Sequence, residues 1–123
     1  MMNFIETISV VVGGVAYGAE LTYIAESEHA GMRLDEARVF CGARHINYAE
    51  IYRGRILPIF LPDGVGEAMQ AELDRQDAEH RADWCDKKAA KCEGSRVSQL
   101  LLEAMRERSR AKDLARYLGH AAA

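Results

Sequence analysis

The residues in this sequence whose types could do chemistry are cysteines and histidines. Cys41 and His45 lie four positions apart, a spacing that places two side chains on one face of a helix. A thiolate beside an imidazole is a pair that nucleophilic catalysis uses. The sequence offers no nearby acid with a clear orienting role and no glycine-rich oxyanion loop. We therefore predict no catalytic residue and a protein that is not an enzyme.

A metal site is the second possibility, because thiolates and imidazoles are common zinc ligands. Cys85 and Cys92 are seven positions apart, which is about 10 Å along a helix, whereas a zinc–sulfur bond is about 2.3 Å. The three cysteines, including Cys41, form an odd set without a Cys-x-x-Cys pair, as is typical of reduced thiols. We predict buried or half-buried free thiols, no metal, no cofactor and a cytoplasmic location.

Charge is distributed unevenly along the 123 residues, whose net charge is -3. Residues 95–123 carry six basic side chains against three acidic ones, and basic side chains can neutralise phosphates. This segment predicts an alternative function, a nucleic-acid-binding transcriptional regulator. The candidate contacts for nucleic acid are Arg106, Arg108, Arg110, Lys112 and Arg116.

The segment before it is acidic, since residues 67–94 carry eight Asp and Glu against five Lys and Arg. A charged helix can bind a basic groove of another protein, because opposite fields steer the two together. A plain solvated helix gives the same pattern. The candidate partner contacts are Glu72, Asp77, Glu79, Asp83 and Trp84.

The elements that must position these side chains begin with a β-hairpin. Residues 4–12 and 15–25 are rich in β-branched and aromatic side chains and flank Gly13-Gly14, a two-residue loop typical of hairpins. The predicted cross-strand pairs are Val12 with Val15, Val10 with Tyr17, Ile8 with Ala19, and Phe4 with Tyr23.

The next segments predict less regular structure and then a second hairpin. Residues 26–44 are compatible with either a short helix or an irregular crossover. Residues 45–52 and 55–61 flank Arg53-Gly54 and predict strand, turn and strand. Because proline cannot donate to a ladder, the last strand should be an edge or end near Pro58.

Two helices are predicted after Asp63. Residues 67–93 lack proline and glycine, and Gly94 with Ser95 suits a helix end followed by an N-cap. Residues 95–119 show a strong amphipathic pattern. The narrow apolar seam of the first helix consists of Met69, Leu73, His80 and Trp84. The wider stripe of the second consists of Val97, Leu100, Leu101, Ala104, Met105, Ala111, Leu114, Ala115 and Leu118.

Together these elements predict an α+β fold. An antiparallel β-meander of about four strands (1–62) is followed by an exposed charged helix (67–93) and an amphipathic helix (95–119), in a single domain (1–123). The length suits one ordinary domain, and no stretch is apolar enough to span a bilayer. The sheet face and the helical stripes offer more apolar surface than so small a body covers, which suggests a homodimer.

Two segments resemble parts of a helix-turn-helix. Residues 34–58, LDEARVFCGARHINYAEIYRGRILP, resemble the helix-turn-helix of excisionase-like and MerR-like regulators, with Gly42 at the turn. Residues 112–120, KDLARYLGH, resemble the first helix and turn of such a motif. The resemblance implies a DNA-binding regulator, in agreement with the basic C-terminal segment.

A second resemblance covers residues 4–80. A two-hairpin meander with a GRILPIF-like fourth strand followed directly by polar helices resembles small accessory proteins encoded by bacteriophages, some of which inhibit host defence proteins by binding them. The resemblance implies a viral, anti-defence interaction protein that inhibits or modulates a host protein of unknown identity. It assigns no functional residue.

Overall fold

The computed structural model describes residues 2–25, 27 and 31–123, and in these residues six strands precede two helices. Strands β1 to β4 form one antiparallel sheet in the order β1-β2-β3-β4, and β5 pairs with β6 in a separate two-stranded sheet. The predicted α+β class is confirmed. The elements are β1 (Met2–Val12), β2 (Val15–Ala25), β3 (Arg33–Cys41), β4 (Arg44–Tyr48), β5 (Glu50–Tyr52), β6 (Arg55–Leu57), α1 (Val65–Ala89) and α2 (Ser95–Ala122).

The first hairpin has the register that the Gly-Gly loop predicts. Gly13 and Gly14 have φ angles of 56° and 76°, and positive φ at both loop residues defines the type I′ turn that matches strand twist. Every predicted cross-strand pair is present. The side chains of this hairpin that lie in the core are Ile8, Val10, Ala19, Leu21 and Ala25.

Residues 33–41 form strand β3, which corrects the prediction of a helix or crossover over residues 26–44. Residues 26 and 28–30 of that segment lie outside the described part of the chain. Tyr23 pairs with Leu34 and Thr22 with Glu36, so Asp35 is an extra residue in the ladder. This bulge separates the buried residues Leu34 and Ala37 by three positions, a spacing that resembles a helix.

The predicted second hairpin is only partly correct. The turn at Arg53-Gly54 is confirmed, with φ angles of 52° and 74°, and β6 ends at Leu57 immediately before Pro58. However, residues 44–48 form β4 and pair with β3, so only the short β5 pairs with β6. Residues 34–58 therefore lie in strands and turns, and the interpretation of this segment as a helix-turn-helix is wrong.

The chain divides into two compact units. The first runs to Gln70 and also takes in Leu118–Ala123, and the second is Ala71–Tyr117. In the first unit, the backbone N–H groups of Gly13 and Gly14 donate to the carbonyls of Ala121 and Ala122, each at 2.8 Å. Because these bonds satisfy carbonyls at the C-terminal end of α2, the helix continues to Ala122 beyond its predicted end at residue 119.

The second unit is a helical hairpin whose core is rich in alanine. Its buried cluster consists of Ala82, Cys85, Ala89, Leu100 and Ala104, with Cys92 and Val97 packed against it. The seam predicted for α1 is therefore wrong at His80 and Trp84, which are exposed. In this unit the buried side chains of α1 are small, namely Ala71, Ala78, Ala82, Cys85 and Ala89, whereas the predicted seam residue Met69 is buried in the first unit.

The apolar stripe predicted for α2 is narrower in the structure. Only Leu100, Ala104 and Ala111 are buried, whereas Leu101 is 46% and Met105 67% exposed. Within the described residues, neither helix has an apolar stretch of the length that a bilayer requires.

Candidate functional site

The helical hairpin of residues 71–117 contains all ten side chains that the sequence predicts as contacts with a partner or with nucleic acid. The partner contacts lie on α1 and the nucleic-acid contacts on α2. A charge that is already paired within the hairpin is less available to a ligand, so the ion pairs of each set decide which of these side chains could bind one.

Arg75 forms ion pairs with Glu72 and Glu79, two of the predicted partner contacts. Its guanidinium donates to the Glu72 carboxylate at 2.8 Å and 2.5 Å and to Glu79 at 2.8 Å. Gln76 also donates to Glu72 at 3.0 Å. The hydrogen bond from Arg75 lowers the pKa of Glu72 below its usual value, and partial burial opposes that shift. Glu72 therefore stabilises α1 rather than presenting a free charge.

Asp77 and Asp83 are also near arginines. Asp77 lies 3.1 Å from Arg81 on the same helix. Asp83 lies 3.7 Å from Arg108 of α2, and Arg108 also donates a hydrogen bond to Asp86. The bond to Asp86 raises the pKa of Arg108. Arg108 thus links the two helices and is not a free cation for a phosphate.

The remaining basic candidates do not form a single patch of unpaired charge. Arg110 lies 3.7 Å from Glu107 and Arg116 lies 3.6 Å from Asp113. Arg106 and Lys112 form no ion pair with another described residue and are exposed. Residues 71–117 contain ten Asp and Glu against eleven Lys and Arg. The acidic helix and the basic helix therefore nearly neutralise each other within the hairpin.

Trp84 differs from the other candidates because its side chain is large, apolar and 56% exposed. The Lys88 ammonium lies 4.6 Å from the centre of its ring. The Trp84 ring lines two cavities at the surface of the hairpin. A shallow hollow of about 580 Å³ is lined by His80, Arg81, Asp83, Trp84 and Lys87. A groove of about 240 Å³ between α1 and α2 is lined by Arg81, Trp84, Cys85, Glu103 and Glu107.

This smaller cavity, the Trp84 groove, places two carboxylates beside an aromatic ring. Oε2 of Glu107 is buried without a hydrogen bond within the described structure, although Arg110 lies 3.7 Å away. Glu103 lies 3.9 Å from the Cys85 thiol. Carboxylates form strong charge-assisted hydrogen bonds with ammonium and guanidinium groups, and aromatic faces attract the same cations. The groove therefore suits a basic side chain.

Cys85 is the cysteine that lines this groove. Burial, followed by the charge of Glu103, raises the pKa of the Cys85 thiol, so the thiol stays protonated and is a poor nucleophile. Cys41 and Cys92 are partly buried, and the prediction of free thiols is confirmed. In the part of the chain that the structure describes, no three His, Cys, Asp or Glu side chains form a group that could hold a metal ion.

Cys41 and His45 are not arranged on a helix. They lie on β3 and β4, where Cys41 pairs with Arg44 and His45 pairs with Phe40. The His45 ring contacts Phe40 at a centroid distance of 5.3 Å and Tyr48 at 5.0 Å. His45 therefore belongs to an aromatic cluster at the surface of the sheet.

Sequence reasoning identified Trp84 but not the two glutamates beside it. Glu103 and Glu107 come from α2, and which residues of α2 lie opposite Trp84 depends on the pairing of the two helices. The spacing of Ala82, Cys85 and Ala89 was the available signal, because it marks the face of α1 that contacts α2.

The fold and the groove define an α+β protein in which an antiparallel sheet precedes a helical hairpin with an exposed aromatic site. Comparisons with protein-family models, with curated proteins and with solved structures gave no match.

Proposed function

We propose that this chain is a small non-enzymatic interaction protein that binds another protein through the Trp84 groove. In agreement with the resemblance to bacteriophage accessory proteins, the partner is a host protein whose activity the chain inhibits or modulates. The groove accepts a lysine or arginine side chain on the partner's surface.

The observation that carries this proposal is the exposure of Trp84 beside Glu103 and Glu107. Tryptophan is enriched among the residues that dominate binding energy at protein interfaces. Here the ring is 56% exposed, and a carboxylate oxygen of Glu107 is buried without a hydrogen bond among the described residues. A basic side chain of a partner would cover the exposed ring and lie beside the negative charges of Glu103 and Glu107.

The paired acidic residues of α1 have a different part in this proposal. Glu72, Asp77, Glu79 and Asp83 all lie within 4.0 Å of an arginine, so they hold the hairpin in shape. Their charges are largely compensated within the hairpin, so the groove itself supplies the attraction for the partner.

The test is capture of a bacterial protein on the immobilised chain, with variants that separate the groove from the rest of the hairpin. Trp84→Ala removes the ring, and Glu107→Gln removes a carboxylate charge while keeping its size. Tyr117→Ala is the matched control, because Tyr117 is also aromatic, 42% exposed and in the same unit. We expect Trp84→Ala to weaken binding of the captured protein about 30-fold, with Tyr117→Ala unchanged.

Equal capture by wild type and Trp84→Ala would contradict the proposal. So would salt-dependent binding of duplex DNA that is lost on charge reversal at Arg106 and Lys112, the two predicted nucleic-acid contacts that form no ion pair within the described residues. That result would instead support the alternative function, a transcriptional regulator that uses the basic side of α2.

A further inference from the structure

Strand β1 forms an edge of the four-stranded sheet and, among the described strands, pairs only with β2. It has eleven residues, MNFIETISVVV, without lysine, arginine or proline and without a register shift. The opposite edge, β4, has five residues, includes Arg44 and His45, and has a register shift against β3. Proteins protect edge strands with shortness, charge, proline or bulges. The β4 edge has several of these features, whereas β1 has one charged residue, Glu6.

The hairpin geometry shows which backbone groups of β1 point away from β2. Residues that flank a two-residue loop exchange both backbone hydrogen bonds, so Val12 and Val15 form a bonded pair, and bonded pairs alternate along an antiparallel ladder. The even-numbered residues of β1 therefore bond to β2. The residues whose N–H and C=O groups face the open edge are Asn3, Ile5, Thr7, Ser9 and Val11.

We propose that β1 pairs in antiparallel orientation with β1 of a second copy, about a two-fold axis through Thr7, to make one continuous eight-stranded sheet. A two-fold axis perpendicular to the sheet keeps the core face of both copies on the same side, and residues directly opposite each other share a face. Odd-numbered residues then meet odd-numbered ones, which are the residues with open backbone groups.

The position of the axis follows from Glu6 and from strand length. An axis through Glu6 would place two carboxylates directly opposite each other, which is unfavourable. An axis through Ile8 would leave Met2 and Asn3 unpaired. An axis through Thr7 pairs all eleven residues, sets Glu6 opposite Ile8 of the second copy, and forms about ten backbone hydrogen bonds.

The same register covers apolar side chains that are exposed in one copy. Phe4, 43% exposed, is placed opposite Val10 of the second copy, on the face that carries the core. Ile5, 65% exposed, is diagonal to Val11, which is 43% exposed. Cross-strand pairs of this kind stabilise sheets at both direct and diagonal positions. The strand is thus complementary to itself in hydrogen bonds and in side chains.

The first test uses the position on the axis. Thr7→Lys and Thr7→Glu each place like charges opposite each other in a dimer, so each variant alone should have the 13.7 kDa mass of one chain in solution. An equimolar mixture should recover twice that mass, because Lys and Glu then face each other. Ala16→Lys, an exposed residue of β2 away from the edge, is the charge control and should keep the mass of the wild-type dimer.

The second test removes the backbone donor. Thr7→Pro deletes an N–H that faces the open edge and leaves the β1–β2 bonds in place. The dissociation constant of the dimer should rise about 100-fold, because both copies lose a bond at the axis, with an unchanged circular dichroism spectrum of the monomer.

A single-chain mass for the wild type at all concentrations up to about 100 μM would overturn the proposal. A dimer that survives Thr7→Lys and Thr7→Pro unchanged would also overturn it. If the wild type is monomeric but Thr7→Pro weakens capture of another protein, the edge binds a strand of that protein and self-pairing is wrong.

Discussion

The neighbouring residues Leu100 and Leu101 test the pairing of the two helices, because the structure gives them opposite environments. Leu100 is 6% exposed in the core of the hairpin and Leu101 is 46% exposed. Leu100→Ala removes three buried carbon groups, which costs about 2.4 kcal/mol in transfer free energy, and the cavity increases the loss to about 3 kcal/mol. Leu101→Ala loses about 1 kcal/mol, since half of its side chain already contacts water.

The assay is urea unfolding followed by tryptophan fluorescence. Trp84 is the only tryptophan and lies in the hairpin, so its emission reports the unfolding of this unit. With a slope of about 1 kcal/mol per molar urea, the difference of about 2 kcal/mol separates the two unfolding midpoints by about 2 M. Equal midpoints, or a larger loss for Leu101→Ala, would refute the reasoning and indicate that the helices pair through the other face.

Two further results are expected. Glu72 has a lowered pKa in the folded chain, so its contribution to stability is present above the usual carboxyl pKa and is lost as pH falls through the lower folded value. Glu72→Gln should cost about 1 kcal/mol at pH 7 and weaken the dependence of the urea midpoint on pH in acid. The charge control is Glu93→Gln, at an exposed residue between the two helices, which should leave the urea midpoint at pH 7 unchanged. Gly66→Ala should lower the melting temperature, because the new Cβ would lie 2.7 Å from Cα of Pro58, at a cost of about 1–3 kcal/mol. Gly119→Ala has open space around the new Cβ and should raise the melting temperature. A change of melting temperature in the same direction for both variants would contradict the close approach of Gly66 to Pro58.

The first hairpin was predictable because its information is local. Gly13-Gly14 sets both the turn type and the register, so every pair along β1 and β2 follows from two adjacent residues. The third strand was not predictable in the same way. Asp35 interrupts the alternation of β3, so the apolar positions imitate a helix until the partner strand is known.

The helices show the same division between local and long-range information. Their existence follows from composition, but from residue 71 onward the buried face of α1 consists of alanines and Cys85, which a search for large apolar residues overlooks. The Trp84 groove needs the pairing of residues in α1 with residues in α2, and no local pattern sets that register. Glu103 and Glu107 therefore became visible only in the structure.

The hydrogen bonds from Gly13 and Gly14 to Ala121 and Ala122 have a consequence for the order of folding. A ribosome synthesises the β1–β2 turn long before it reaches the alanines that accept these bonds. These two bonds therefore form only after residues 71–117 have emerged, and contacts between such distant positions form slowly. A stop codon after Leu118 should leave the turn without its acceptors and lower the stability of the sheet, without slowing its refolding or changing the helical hairpin.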